Sequence, residues 1–412
     1  MTNHAKSNST KSNSTKANST KAKRTWRRLT VTGVALLAGV TVPSVAVAAE
    51  DRDGRARLQR DVDALAATGT TGVLAEVRTP AGRTAARAGV ADLESNRPVP
   101  WDARHRAGST TKAFVATTVL QLVGEGRIGL DDTVEQWLPG LLDVGEYDGS
   151  KITVQYLLGH RSGLPEYADS VPLERATTYE EFLQERFRTF RPEELVAMAL
   201  QKEPVFKPDG RQWGYSNTNY VLAGMIIEKA TGRSWREEVR DRVIEPLGLR
   251  GTILPGASPH LPSPRLAAYK RWTPGGPLTD VSTFAAGQAD GSLISTTEDV
   301  NRFFRALLGG RLLAPAQLRE MQKTVEATGF EMYYKEPMYG LGLMQRTTSC
   351  GKKVWFHGGG GWNAMTDNAV TADGRRSVTV FYASALEPDE SPLEQAKASA
   401  ALIDRALCSG RS

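Results

Sequence analysis

The hydrophobic period changes along this chain, and this change restricts the possible folds more than any other feature. Near both ends apolar residues alternate as in strands, whereas in the middle they recur every three to four residues as in helices. Strands are predicted at 72–79, 83–90, 339–345, 353–357, 364–371 and 377–383. Helices are predicted at 52–66, 109–124, 193–201, 217–231, 234–245, 297–308 and 391–407. The predicted fold is α/β of the α+β type: an antiparallel sheet of N- and C-terminal segments, flanked by helices, with a large, mostly helical subdomain inserted.

The first 48 residues differ in composition from the rest of the chain. They carry eight lysines and arginines and no acidic residue, and an apolar run from Leu29 to Ala48 ends in small residues. This combination is typical of a secretory signal peptide. We therefore expect residues 1–48 to be a cleaved leader and residues 49–412 to form one secreted domain without a stable membrane anchor. Arg27-Arg28 leaves open whether export follows the general secretory or the twin-arginine route.

The charge of the chain gives no indication of a nucleic-acid partner. The whole sequence has 52 basic and 46 acidic residues, for a net charge of +6. Without the eight basic residues of the leader, 44 basic and 46 acidic residues remain, so the domain is close to neutral. We expect a monomer that acts on a small molecule or a peptide.

The cysteines and histidines are few. Cys350 and Cys408 are the only cysteines, and in an oxidising compartment we expect them to form a disulfide. The five histidines show no metal-ligand spacing, so we expect no metal and no cofactor.

The segment Ser109-Thr110-Thr111-Lys112 contains a candidate nucleophile and its base. On a helix, positions i and i+3 share a face, so the amine of Lys112 can reach the hydroxyl of Ser109. A helix N-cap serine next to a surface lysine would give the same pattern. The sequence also contains a second match, Ser349 to Lys352, in a segment predicted to be a loop entering a strand.

Two further motifs carry groups suited to the same chemistry. Tyr215-Ser216-Asn217 combines a phenol that can act as a general base with an amide that can hold a substrate carbonyl, although an asparagine cap on the next helix is the simpler explanation. His357 and the glycines 358–361 follow an apolar strand. Backbone N–H groups there could stabilise an oxyanion, and a charged His357 could lower the pKa of Lys112 or Tyr215, whereas a flexible glycine turn is the alternative.

Ser-x-x-Lys, Tyr-x-Asn and His-x-Gly in this order resemble the serine β-lactamase and penicillin-binding superfamily. The resemblance is to its class C branch and to the secreted D-alanyl-D-alanine carboxypeptidases, and it extends to residues 152–164, 215–224 and 339–343. It implies that Ser109 is acylated, that Lys112 is its proton partner, and that Tyr215 is the base and then the acid to the leaving group. It also implies that Asn217, His357, Gly358, Gly359 and Gly360 form the substrate and oxyanion site, with the N–H groups of Ser109 and Gly360 as donors. We interpret His160 as structural.

Two departures from the family pattern concern specificity. Gly358 stands where carboxypeptidase relatives have threonine, and Met344-Gln345-Arg346 stands where they have an arginine-rich run, so the carboxylate clamp is weakened although Arg346 survives. The expected function is a serine-type D-alanyl-D-alanine carboxypeptidase that also interacts with β-lactams. The alternatives are an esterase, a D-amino-acid amide or peptide hydrolase, a class C-like β-lactamase and a non-catalytic penicillin-binding protein.

Overall fold

The structure is a computed structural model that describes residues 44–285 and 287–409, with side chains from Asp53 onward. By its contacts the chain divides into residues 1–45 and 46–412. The predicted leader, residues 1–48, lies almost wholly outside the described residues, so its cleavage remains a prediction. In the part of the chain that is described, no helix has both the length and the apolar character needed to cross a membrane.

Helices make up most of the middle of the chain. They are α1 (Ser44–Ala66), α2 (Thr111–Gly124), α3 (Val134–Trp137), α4 (Val154–Leu158), α5 (Tyr179–Glu185), α6 (Pro192–Ala199), α7 (Thr218–Thr231), α8 (Trp235–Val239), α9 (Glu245–Leu247), α10 (Thr297–Leu308), α11 (Pro315–Met321) and α12 (Leu393–Cys408). Short 3₁₀ turns occur at Gly149–Lys151, Ala168–Ser170 and Leu173–Arg175, and a π-helical turn at Arg240–Ile244 joins α8 to α9.

The strands gather near the two ends of the sequence. They are β1 (Thr70–Thr79), β2 (Gly82–Gly89), β3 (His105–Gly108), β4 (Tyr269–Arg271), β5 (Leu278–Asp280), β6 (Leu293–Ser295), β7 (Val325–Glu326), β8 (Met338–Tyr339), β9 (Met344–Thr347), β10 (Lys353–Phe356), β11 (Gly359–Gly361), β12 (Ala364–Thr371) and β13 (Ser377–Ser384). The main sheet is antiparallel, in the order β2-β1-β13-β12-β10-β9-β8-β7, and β11 also pairs with β12. Two small sheets pair β3 with β6 and β4 with β5.

The main sheet lies between two helical layers because its strands alternate apolar side chains between both faces. On β1, Val73 and Val77 belong to a core shared with α1 and α12, whereas Leu74 belongs to the core shared with α2 and α10. N- and C-terminal strands meet directly where β1 pairs with β13, with Val73 opposite Tyr382. The predicted fold class, an antiparallel sheet of terminal segments with an inserted helical region, is confirmed.

One predicted strand is wrong. Residues 339–345 are divided into β8 and β9, which form a hairpin in which Tyr339 lies opposite Met344. Gly342 has a φ of +76°, which favours glycine, and an added Cβ there would lie 2.4 Å from the Cβ of Ala116. The alternating apolar residues thus continue through a tight turn, which a pattern of period two does not reveal.

The predicted disulfide is present. Cys350, in the turn between β9 and β10, is bonded to Cys408 at the end of α12. A buried ion pair at 2.7 Å, between Arg346 of β9 and Asp404 of α12, lies between the same two parts of the chain. The C-terminal helix is therefore attached to the β9–β10 hairpin both covalently and electrostatically.

Reducing this disulfide should lower thermal stability. The bond closes a loop with a sequence separation of 58, for which the chain-entropy model gives about 4 kcal/mol, or a fall in Tm of about 5 °C for a domain of this size. Calorimetry on oxidised protein and on reduced, alkylated protein measures the difference, and non-reducing peptide mapping serves as the control. Two free thiols in correctly folded protein would contradict the pairing.

Candidate active site

Ser109 lies between β3 and α2, at a point where three backbone segments come together. Gly108 has a φ of +51°, and a Cβ there would lie 2.8 Å from the backbone N of Gly360. A Cβ at Gly359 would lie 2.6 Å from the backbone N of Ser109. Only glycine fits at either position, so the strand β11 lies directly against the turn that carries Ser109.

This close approach leaves backbone donors beside the Ser109 hydroxyl. Strand β11 pairs with β12 along one edge, where Gly360 lies opposite Met365. The edge that faces Ser109 has no strand partner among the described residues. The N–H groups of Ser109 and Gly360 are therefore the donors that the arrangement offers to a developing oxyanion.

Lys112 lies in the first turn of α2, is fully buried, and has three polar neighbours. Its Nζ donates to Ser109 Oγ at 2.9 Å, to Asn217 Oδ1 at 2.6 Å and to the backbone carbonyl of Asp290 at 2.7 Å. An ammonium group satisfies all three acceptors. A neutral amine keeps the last two bonds and accepts the proton of Ser109. Both protonation states of Lys112 therefore fit the same geometry.

Asn217 precedes α7, but its side chain makes no capping hydrogen bond to that helix. Its amide oxygen instead accepts from Lys112, and its backbone N–H donates to Glu166 Oε2 at 2.9 Å. The simpler explanation of this motif, an asparagine cap, is therefore wrong. A tertiary hydrogen bond to Lys112 takes the place of the local one.

Tyr215 is held by an aromatic shell next to Lys112. Lys112 Nζ lies 4.9 Å from the centre of its ring, and the imidazole of His160 packs against the ring with centroids 4.3 Å apart. His160 accepts at Nδ1 from the Ser216 N–H and the Asn219 amide, and burial lowers its pKa well below the usual value. A neutral, buried His160 agrees with the structural role expected for it.

His357 differs from the expectation of a cationic group. Its ring is buried, with Tyr339 Oη 2.9 Å from Nε2 and the Gly358 carbonyl 2.8 Å from Nδ1. Burial, with a contribution from the charge of Lys112, lowers its pKa to about 3. The imidazole is therefore neutral at pH 7 and cannot lower the pKa of a neighbour by its charge. A tautomer that donates to Gly358 and accepts from Tyr339 satisfies both nitrogens.

The second Ser-x-x-Lys match has none of these contacts. Ser349 is exposed in the turn beside the disulfide, and its backbone N–H donates to Asp404 Oδ2 at 2.6 Å. Among the described residues, no lysine amine lies within hydrogen-bonding distance of its hydroxyl. Of the two matches, only Ser109 has its lysine in place.

Arg346, the one residue of the carboxylate clamp that the sequence was expected to retain, points elsewhere. Met344 and Arg346 both lie on the face of β9 that packs towards α1 and α12, and Arg346 is 4% exposed in its pair with Asp404. A Cβ at Gly358 would lie 3.1 Å from the Thr366 carbonyl and 3.2 Å from Asp367 Oδ1. The surviving arginine is therefore a structural group of the C-terminal helix and not part of a substrate clamp.

Next to Ser109 lies a cleft of about 570 Å³. Apolar side chains form part of its wall, among them Val171, Leu173, Phe284 and Trp362. Asp290, 6% exposed, also lines it; Tyr167 Oη donates to its Oδ2 at 3.0 Å, and its Oδ1 is buried with no hydrogen-bond partner among the described residues. Burial and the charge of Asp290 raise the pKa of Tyr167 well above its usual value, so that hydroxyl remains a donor.

Sequence reasoning missed Asp290 and Glu166. Asp290 contacts Lys112 through its backbone carbonyl, which any residue type could supply, so no residue pattern points to it. Glu166 accepts from the backbone N–H groups of Ala168 and Asn217, and burial raises its pKa. Its position two residues after segment 152–164, which carries part of the family resemblance, was the signal that the sequence offered.

Comparison with known proteins places this site in a family. Residues 56–403 match the family model described as Beta-lactamase. The chain is similar to the structure of a D-stereospecific amidohydrolase from Streptomyces sp., with 40% identity, coverage of 87% of this chain and 99% of that one, and a TM-score of 0.77. It is also similar to a D-amino acid amidase from Ochrobactrum anthropi SV3, with 26% identity, coverage of 87% and 100%, and a TM-score of 0.75.

Curated relatives include a D-aminopeptidase from Cereibacter sphaeroides, 26% identical over 71% of this chain and 53% of that protein. The chain spans less than two thirds of the length of the first curated relatives it matches. The family match nevertheless covers most of the sequence, including Ser109, Lys112, Tyr215 and the glycines of β11. The protein is a member of the Beta-lactamase family of serine hydrolases.

Proposed function

We propose that the protein hydrolyses D-aminoacyl amides, and related esters or short peptides, through an acyl-enzyme on Ser109. The observation that carries the proposal is the environment of Lys112, whose Nζ lies 2.9 Å from Ser109 Oγ while Asn217 and Asp290 hold its other hydrogen bonds. No carboxylate pairs with Lys112 in the described part of the chain. Its nitrogen therefore lies in position to take the serine proton.

The reaction follows from these positions. Ser109 Oγ attacks the substrate carbonyl carbon while its proton passes to Lys112, and the N–H groups of Ser109 and Gly360 hold the oxyanion. Tyr215 passes a proton to the leaving nitrogen, the C–N bond breaks, and an ester remains on Ser109. A water molecule, whose proton passes to the Tyr215 phenolate, then attacks the ester carbonyl. The ester C–O bond breaks, the acid is released, and Ser109 Oγ recovers its proton from Lys112.

The cleft supports a substrate with a free α-amino group. Asp290 Oδ1 is buried without a donor, and a buried acceptor left unpaired costs free energy that a substrate ammonium would recover. Glu174, which lines the same cleft and accepts from Trp362 Nε1 at 3.1 Å, is a second carboxyl group there. The apolar wall formed by Val171, Leu173 and Phe284 would receive the side chain of the amino acid. The amidase and amidohydrolase names of the similar structures favour the same substrate class.

A D-alanyl-D-alanine carboxypeptidase is the second candidate. Arg188, Arg191 and Arg236 line another part of the cleft and would face a terminal carboxylate, although Arg188 and Arg191 also pair with Glu185 and Glu194 at 3.4 Å. Arg346, in contrast, is engaged with Asp404. The two candidates differ in which end of the substrate is recognised by charge: the amino group in the first and the carboxylate in the second.

Removing the charge of Asp290 should separate them. In Asp290→Asn, the kcat/KM ratio of D-phenylalanine amide to its N-acetyl derivative should fall by about 10- to 100-fold, because a hydrogen bond between charged groups contributes about 1.5–3 kcal/mol. Glu228→Gln is the matched control, because Glu228 also lines the cleft but accepts from the backbone N–H of Trp235. An unchanged ratio, or a wild type that prefers an N-acetylated peptide with a free D-Ala-D-Ala terminus, would favour the carboxypeptidase instead.

We also propose that the protein acts after export, as a monomer. The basic and apolar leader and the Cys350–Cys408 disulfide support export. N-terminal sequencing of protein from the culture medium tests it, and a chain that retains residues 1–48 in the cell would contradict it. Light scattering of the exported protein tests the monomer.

A further inference from the structure

A second cleft, of about 470 Å³, lies away from Ser109 and is lined mainly by arginines. The side chains come from three segments: the end of β1, one face of α10 from its first turn onward with the residues after it, and the turn between β12 and β13. In the described part of the chain its lining consists of Arg78, Arg302, Arg305, Arg311, Arg375, Glu298 and Gly374. None of them lines the Ser109 cleft. We refer to it as the arginine cleft.

The acidic side chains nearby neutralise only two of these arginines. Glu298 pairs with Arg78 at 3.2 Å and with Arg302 at 2.9 Å. The buried carboxylate of Glu76 pairs with Arg78 at 2.6 Å and is shared with Arg83. Within the described residues, no carboxylate lies within 4 Å of the guanidinium groups of the other three arginines: Arg305, Arg311 and Arg375. Asp373 lies beside Arg375 in the same turn and accepts from its backbone N–H at 3.0 Å, so the positive charge of this cleft is compensated only in part.

Backbone contacts bring Arg305 and the turn that carries Arg375 close together. Arg305 Nε donates to the carbonyl of Gly374 at 3.3 Å. Gly374 has a φ of +67°, and a Cβ there would lie 2.7 Å from the Arg305 carbonyl and 2.8 Å from the Gly309 nitrogen. The turn that carries Arg375 is therefore packed tightly against the end of α10.

Interaction with the helix dipole does not account for the cluster. One cation in the last turn, which Arg305 supplies, is enough to interact with the carbonyl end of α10. Arg311 and Arg375 lie outside the helix. Burial and the nearby charges of Arg78 and Arg311 lower the pKa of Arg305, which means that these cations repel one another in the absence of an anion.

We propose that the arginine cleft binds a phosphate-bearing anion. Guanidinium groups bind phosphate oxygens through paired, charge-assisted hydrogen bonds, and three unpaired arginines match a group with several negative oxygens. The ligand chemistry is that of a polyphosphate or a phosphate ester, either free in solution or as a lipid headgroup. This site is independent of the proposed hydrolytic function because it shares no residue with the Ser109 cleft.

Arginine labelling with phenylglyoxal tests the site directly on the full chain. At low ionic strength, where charges are weakly screened, tripolyphosphate should protect Arg311 and Arg375 from modification, as read by peptide mass mapping. Arg55 and Arg60, exposed on α1, are internal controls that should stay reactive. Equal protection of all four arginines, or no protection of Arg311 and Arg375, would overturn the proposal.

A double variant gives the quantitative result. Arg311→Gln with Arg375→Gln should weaken tripolyphosphate binding by about 10-fold or more in calorimetry, whereas Arg55→Gln with Arg60→Gln should change it less than about twofold. Unchanged hydrolytic activity shows that the variants are folded. Equal affinity of wild type and the Arg311/Arg375 variant would refute the site. Vesicles of phosphatidylglycerol and phosphatidylcholine distinguish the sources: binding that the double variant loses identifies a lipid headgroup, and binding of tripolyphosphate alone identifies a soluble anion.

Discussion

Ser109→Ala is expected to lower kcat/KM by about 10³-fold or more, because it removes the oxygen that forms the acyl-enzyme while leaving the binding cleft in place. The hydroxyl makes a single described side-chain contact, the 2.9 Å hydrogen bond to Lys112. Its loss should therefore leave the melting temperature close to that of the wild type. Hydrolysis of a D-aminoacyl amide or of a p-nitrophenyl ester measures the change, and mass spectrometry of trapped enzyme should show no acyl adduct.

Ser349→Ala is the matched control, since Ser349 is the first residue of the other Ser-x-x-Lys match. Its exposed side chain lies in the turn between β9 and β10, and it should retain nearly full activity. If Ser349→Ala were inactive and Ser109→Ala active, the assignment of the whole site would be wrong. If both variants were fully active, the protein would not act through either serine.

Gly359→Ala should have the second largest effect. The added methyl carbon would lie 2.1 Å from the Ala107 carbonyl and 2.6 Å from the Ser109 nitrogen, so β11 must move away from Ser109. Displacing an oxyanion donor costs about 10²- to 10³-fold in kcat, and overpacking costs about 1–3 kcal/mol of unfolding free energy. Steady-state kinetics and thermal denaturation measure the two effects separately.

Gly361→Ala is the control in the same strand. No atom lies within 4 Å of a Cβ at Gly361, so this variant should keep its activity within about twofold and its stability within about 0.5 kcal/mol. Wild-type activity in Gly359→Ala would mean that the β11 edge does not form the oxyanion site. Equal losses in both variants would instead indicate that the strand needs glycine for flexibility.

The partner of Arg346 was harder to predict than the contact between Ser109 and Lys112. Met344 and Gln345 end the predicted strand 339–345 and Arg346 follows it, and the sequence indicated that Arg346 could still bind a substrate carboxylate. In the structure Arg346 occupies the same face of β9 as Met344 and pairs with Asp404, a residue from α12. The face of the sheet that a side chain occupies depends on the register of its strand. Here the turn at Gly340 to Leu343 shifted the register, and the alternating apolar pattern gave no indication of that turn.

Most of the sheet and the longer helices follow from the sequence because they depend on short-range period and on residues such as Thr296, whose hydroxyl caps α10. The spacing of Ser109 and Lys112 is equally local, since one helical turn brings them together. The neutral state of His357, the ion pair of Arg346 and the contact of Lys112 with the Asp290 carbonyl were decided only by tertiary structure. The neutral state of His357 depends on burial, and the ion pair of Arg346 depends on a partner far away in the sequence. The contact of Lys112 is with a backbone carbonyl, which every residue has. The sequence by itself therefore determined which groups could react, and the tertiary structure decided their charge, their partners and the cleft they face.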